Sequence, residues 1–175
     1  MPPKVKITRD NIIDSALRII RQKGMEALGA RNIAADLGCS TQPVFSNFST
    51  MEELKAAAIQ AADALYQDYL RREIDRCEFP PYKASGMAYI RFAREERQLF
   101  RLLFMRNRSG EKIDETTEEL EQLTALLQRT VGLSREDAFL FHLEMWMYVH
   151  GIATMIATSY LEWDQQMISQ MLTDA

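Results

Sequence analysis

"AADLGCSTQPVFSNFST", residues 34–50, sets one glycine, one proline, two phenylalanines and a run of small polar side chains between two stretches of helical periodicity. Upstream, "ARNIAADLG" puts Ile33, Ala34 and Leu37 on one face, and Gly38 supplies the stop. Downstream, Ser40 reads as the N-cap of a second short helix, with Pro43 in its first turn, where a missing N–H does no harm. Val44, Phe45 and Phe48 are expected to pack inward, which leaves Thr41, Gln42, Ser46 and Asn47 for solvent or a partner. Thr50 with Glu53 has the spacing of a capping box and opens a long helix to about Cys77. Two short helices meeting at a tight turn form a helix-turn-helix.

The rest of the chain repeats the helical pattern. Thr8 caps a first helix with Ile12, Ile13, Ala16, Leu17, Ile19 and Ile20 at three-to-four spacing, ended by Gly24. After the paired prolines of "EFPPY", helices are expected over 82–94, 97–106 and 114–131, the last with Thr117, Leu120, Leu123, Leu127 and Val131 on one face. Ser134 and Asp137 open an apolar helix over 135–160, and a short helix closes the chain over 164–172. No stretch shows strand-like alternation, an internal repeat or low complexity. The fold class is therefore all-α, about nine helices, with a three-helix helix-turn-helix domain over 1–50 and a second helical domain over 51–175.

With 175 residues and 47% apolar content, the chain can bury one substantial core and carry a small second module. Cys39 and Cys77 are far apart and have no histidine cluster beside them, so neither a zinc site nor a disulfide framework is suggested, and a reducing cytoplasm fits. The charged start "MPPKVKITRD" leads into no signal-peptide core. Residues 138–160 are long enough on paper to cross a bilayer, but His142, Glu144 and His150 interrupt them. A helix buried on two sides, against its own core and a second copy of the chain, is the simpler reading, with no membrane partner. Charge is uneven. Residues 1–50 hold seven Lys/Arg against four acids, and the remainder holds fourteen against twenty-one, which points the N-terminal part at a polyanion.

A helix-turn-helix reads double-stranded DNA by laying its second helix in the major groove. Thr41 and Gln42 stand at the start of that helix, and Gln suits bidentate pairing with adenine. Arg31 is placed for a phosphate, and Lys4 and Lys6 form a basic arm. Ser40, Pro43, Phe45, Ser46 and Asn47 complete the candidate DNA-binding set. No Glu-x-x-His pair, nucleophile with a base, or glycine-rich phosphate loop is present, so neither an enzyme, a metal site nor a cofactor is expected.

Residues 7–54 resemble the DNA-binding domain of the tetracycline-repressor (TetR) family in the Gly24 break, "RNIAADLGCS", the aromatics at 45 and 48, and "MEEL" opening helix 4. That family usually carries Tyr at position 45 and His or Tyr at 47, both touching phosphates, and often Lys at 51. This chain has Phe45, Asn47 and Met51, with Gly29 where Ser or Thr often caps helix 2. "EMWMYVHGIATMIA" is similar to a subgroup marked W-x-x-x-H-G, here Trp146, His150 and Gly151.

The resemblance implies a ligand-responsive transcriptional regulator, first of all a repressor, joined as a homodimer through its last two long helices and holding an effector pocket among the middle ones. Small residues at Gly151, Ala153 and Ala157 fit close helix approach. The candidate interface is Leu143, Trp146, Met147, His150, Gly151 and Thr154, and a twofold dimer predicts a palindromic operator. For an unidentified small-molecule effector the bulky or soft candidates are Tyr66, Tyr89, Phe92, Phe100, Phe104, Met105, Tyr148 and Met155, joined by Glu144. A carboxylate on so apolar a helix must be paired or protonated, a partner being either an arginine such as Arg91, Arg94 or Arg101 or the effector itself. His142 and His150 are read as hydrogen-bonded rather than metal-binding. The alternative function is a helical ligand sensor or interaction module that has lost specific DNA binding.

Overall fold

The computed structural model describes residues 7–107 and 118–174; Lys4, Lys6 and the expected helix start at 114–117 lie outside them. Among the described residues there are nine α-helices and no strand: α1 Arg9–Lys23, α2 Ala30–Asp36, α3 Gln42–Asn47, α4 Met51–Asp75, α5 Pro81–Glu95, α6 Arg97–Phe104, α7 Glu118–Val131, α8 Arg135–Ala157 and α9 Gln165–Asp174. A single 3-10 turn, Met25–Ala27, follows α1. None of the described helices is long and apolar enough to cross a membrane.

The chain divides into two compact units. One runs through Gln67 and takes in Glu96–Arg106; the other comprises Asp68–Glu95 and the described chain beyond Arg106. In the first, α1 is fixed at its start by a reciprocal cap, the Asn11 amide donating to Thr8 Oγ1 and the Thr8 amide to Asn11 Oδ1. Its buried stripe is Ile12, Ala16, Ile19 and Ile20, and α1 packs against α2, α3 and α6, which bury Ile33, Val44 and Leu99. Two polar ties hold α1 to its neighbours. Ser15 Oγ and Arg18 each donate to Asp36 at 2.6 Å, which holds that carboxyl below its ordinary pKa. Arg21 grips Glu96 with two parallel bonds of 2.8 and 3.0 Å, a geometry only a guanidinium offers.

In the second unit, α5 and α8 run parallel, because Tyr82 meets His142 and, two turns on, Tyr89 meets His150. Helix α9 lies antiparallel to α5, with Lys83 donating to Thr173 and Arg94 to the Trp163 carbonyl. Gly86 sits where these helices converge; a Cβ there would touch Leu172 and Val149 at 3.4 Å.

Four local expectations change. Helix α3 is capped by Thr41 rather than Ser40, and Thr41 makes no side-chain cap bond; its carbonyl accepts from Val44 and Phe45 instead. Phe45 points outward, 54% exposed, because Val44 and Phe48 already fill the inner face of so short a helix. Val131 lies 62% exposed at the end of α7, whose buried positions are Thr124 and Leu127. Helix α8 stops at Ala157 instead of 160, because Ser159 adopts a left-handed φ of 57° and the Tyr160 amide folds back to the Met155 carbonyl at 2.9 Å.

Both Tyr–His pairs bear on pH. Burial pushes the Tyr82 hydroxyl up to about 12, so it keeps its proton, and it shares a hydrogen bond of 3.2 Å with His142 Nδ1. Burial also lowers the pKa of His142 and His150. An unfolded chain takes up these protons near pH 6.5 and the folded chain only at lower pH, so stability is lost as pH falls below 6.5, by at most about 1.4 kcal/mol per unit for each histidine. Thermal midpoints measured from pH 7 down to 5.5 should therefore fall, and fall less for a His142→Gln, His150→Gln double variant.

Candidate nucleic-acid interface

The turn between α2 and α3 is built from backbone bonds. Gly38 takes a φ of 63°, its amide reaches the Ala35 carbonyl, and the Cys39 amide reaches Ala34 at 2.9 Å. This double closure, with a glycine at the left-handed position, ends α2 and redirects the chain. Helix α3 then leaves Gln42, Phe45 and Ser46 exposed at i, i+3 and i+4, one shared face. Ser40 and Arg31 are exposed, whereas Thr41, Pro43 and Asn47 are half-buried.

Side chains at the end of α3 are partly committed to their own helix. Ser46 Oγ donates to the Gln42 carbonyl at 2.9 Å and Asn47 Nδ2 to Pro43 at 2.8 Å, which leaves the Ser46 oxygen as an acceptor and Asn47 with one amide N–H and its Oδ1. The exposed face thus offers one amide with both donors and acceptor, an aromatic ring and a hydroxyl acceptor. Of the basic side chains in this unit, Arg9, Arg18 and Arg21 are ion-paired with acids. Lys23 and Arg31 are exposed cations without an ion pair among the described residues.

The effector candidates separate by unit and by burial. Tyr66, Phe100, Phe104 and Met105 fall in the first unit, where Phe104 packs at 5.2 Å against both Tyr66 and Phe100. Tyr89, Phe92, Glu144, Tyr148 and Met155 fall in the second. Tyr66, Tyr89, Phe92 and Phe100 are buried core, while Met105, Glu144, Tyr148 and Met155 are exposed. In the single chain Glu144 stands in solvent. The buried carboxylate is Glu73, 2% exposed, held by Arg76 and Arg91 at 3.2 Å and with its pKa raised by burial. Its signal was present in the sequence: Tyr66, Leu70 and Glu73 follow i, i+4, i+7 along α4. A groove of about 710 Å³ lies between α7 and α8, lined by Leu120, Thr124, Gln128, Arg135 and Phe139 among others. None of the nine candidates lines it.

Helix α8 presents Leu143, Trp146 and Met147 to solvent, with His150, Gly151 and Thr154 half-buried along the same stripe. His150 Nδ1 lies 2.8 Å from the Tyr89 hydroxyl, and its ring stacks on Trp146 at 5.2 Å. A Cβ on Gly151 would meet open space, and Thr154 Oγ1 is shut off from solvent with no partner among the described residues.

A family model described as "Bacterial regulatory proteins, tetR family" matches residues 12–58, and one described as "Tetracyclin repressor-like, C-terminal domain" matches residues 82–175, over half of the chain. The class D tetracycline repressor protein of Escherichia coli is 24% identical over 134 residues, 77% of this chain and 56% of that protein. The chain thus spans little more than half the length of that relative. Among solved structures, a TetR-like transcriptional regulator from Rhodococcus sp. RHA1 superposes with a TM-score of 0.68 at 16% identity, covering 98% of this chain and 93% of the other. The multidrug binding protein EbrR, crystallised with imidazole, gives 0.63 at 20% identity over 95% and 88%. Both are similar in fold.

Proposed function

This chain belongs to the TetR family of bacterial regulatory proteins, and we propose that it is a ligand-responsive repressor that binds a palindromic operator as a homodimer. The observation that carries this reading is the exposed α3 face of Gln42, Phe45 and Ser46, held on the packed core of α1–α3. Gln42 pairs with adenine, and the Phe45 ring meets a thymine methyl, an apolar contact that needs no hydroxyl. Arg31, Ser40, Thr41 and Asn47 meet the backbone, with Pro43 shaping the helix start and Lys4 and Lys6 reaching along the duplex.

The dimer forms through the α8 stripe of Leu143, Trp146, Met147, His150, Gly151 and Thr154, and the presence of Trp146, His150 and Gly151 supports membership of the W-x-x-x-H-G subgroup. The effector is a small molecule bound by the second unit. The α7–α8 groove has a volume in the range of small-molecule sites, and its mixture of Phe139, Leu120 and Ala125 with Arg135, Glu121, Glu136, Thr124 and Gln128 suits an amphipathic ligand. Release needs only that the effector bind the non-operator state more tightly; a coupling of about 1–3 kcal/mol gives a 5- to 150-fold switch.

Selection of bound sequences from a random duplex pool tests the proposal. Intact protein should enrich one palindrome, and Gln42→Ala should relax discrimination at one symmetric pair of positions by about 1–3 kcal/mol per site. No enrichment, even at low salt, would replace the repressor with a ligand sensor or interaction module.

A further inference from the structure

The start of α1, the end of α3 and the start of α4 meet at one guanidinium. Arg9 Nη1 donates to the Asn47 carbonyl at 2.7 Å and to Glu53 Oε1 at 2.9 Å, and the guanidinium lies 4.0 Å over the Phe48 ring. Asn47 is the last residue of α3, where helix carbonyls have no partner within the helix. Glu53 stands in the first turn of α4, where a negative charge is favoured. Its other oxygen accepts from the Ser49 amide at 2.8 Å, while its own amide donates to Thr50 Oγ1 at 3.1 Å. The Ser49 amide and Arg9 together hold the Glu53 carboxyl below its ordinary pKa. Every residue between α3 and α4 is thus tied to this joint.

We infer that Arg9 is a positioning residue for DNA recognition: it fixes α3 against α1 and α4, and so sets the angle at which the Gln42–Phe45–Ser46 face meets the duplex. This rests on the DNA-binding reading above. A basic side chain at the start of a helix-turn-helix unit is expected to reach a phosphate. Arg9, at the surface, instead directs its charge to partners within the chain: a carbonyl, a carboxylate and a ring. Glu53 acts through it, and an acid in the basic unit here supports DNA binding instead of opposing it.

The test measures affinity for the selected duplex over a range of salt, for intact wild type, Arg9→Gln, Arg9→Lys, Glu53→Gln and the Arg9→Gln, Glu53→Gln double variant. Each glutamine variant is expected to weaken binding about tenfold with the slope of affinity against salt unchanged. The double variant should be little worse than either single one, because both break one joint. Arg9→Lys, which keeps a donor cation, should recover most of the loss. A slope shallower by about 1.8 per dimer in Arg9→Gln would make Arg9 a phosphate contact and overturn the inference. Tighter binding by Glu53→Gln, the result of charge removal alone, would overturn it too.

Amide exchange separates this inference from the DNA reading. The Phe48 amide, bonded to the Val44 carbonyl at 2.9 Å, should exchange faster in Arg9→Gln while the amides of Ile19 and Ile20 keep their protection. Unchanged Phe48 exchange would remove the joint even if the wild type binds DNA. Faster exchange in a protein that selects no duplex would leave the joint standing and cancel the DNA reading alone.

Discussion

Met147→Glu is expected to leave the protein monomeric, with operator affinity at least about a hundredfold weaker. Met147 is 54% exposed and Trp146 44% exposed on α8, beside Leu143 and opposite the buried positions Val149, Ile152, Ala153 and Ile156. In the protomer a carboxylate at 147 stands in water and costs little. Across a twofold interface it meets the same patch of a second copy, where two unpaired carboxylates would be desolvated together. On the proposed dimeric reading, an operator would then lose the linkage that makes its second half-site an intramolecular contact. Sedimentation velocity reads the change directly. In addition, the wild-type thermal midpoint should rise with protein concentration while that of the variant stays constant. A variant that remains dimeric would move the interface off this stripe.

The second large effect is on stability. Phe92→Ala should cost about 3–5 kcal/mol, because Phe92 is completely buried on α5, edge-on to Tyr69 at 5.3 Å, and its removal leaves a cavity. Denaturant unfolding should show a lower midpoint with the slope retained. Tyr148→Ala, at an exposed position of α8, should fall within about 0.5 kcal/mol of wild type when measured on the Met147→Glu monomer. The contrast decides the role of the aromatic candidates. A cost near 1 kcal/mol for Phe92→Ala, with an altered effector response, would mean that this side chain lines a ligand cavity instead of filling the core.

Local chemistry was legible in the sequence where it acts through the backbone. Thr8 and Ser134 cap the helices they were expected to cap, and Gly24 and Gly38 carry the positive φ that ends α1 and α2. Each of these signals is decided within a few residues, so the all-helical fold and the helix-turn-helix could be read directly. Ser159 escaped notice because it fills a left-handed position that glycine usually marks. The outward turn of Phe45 was hidden because Val44 within α3 and Phe48 at its C-cap already fill the inner face of so short a helix. Glu73 and Glu144 exchanged places: composition of the local stretch made Glu144 look buried, while the i, i+4, i+7 stripe of α4, legible in the sequence, buries Glu73 beside Arg76 and Arg91. Arg9 counted only as part of a basic excess, since its partners lie 38 and 44 residues away.

The central claim is that two α3 faces read two half-sites of one duplex. Hydroxyl-radical footprinting of the intact protein on the selected palindrome tests it most directly. The prediction is two symmetric protected windows centred about one helical turn, roughly 34–36 Å, or a whole multiple of it apart, both weakened together by Met147→Glu. A single protected half-site, or protection without helical phasing, would contradict it.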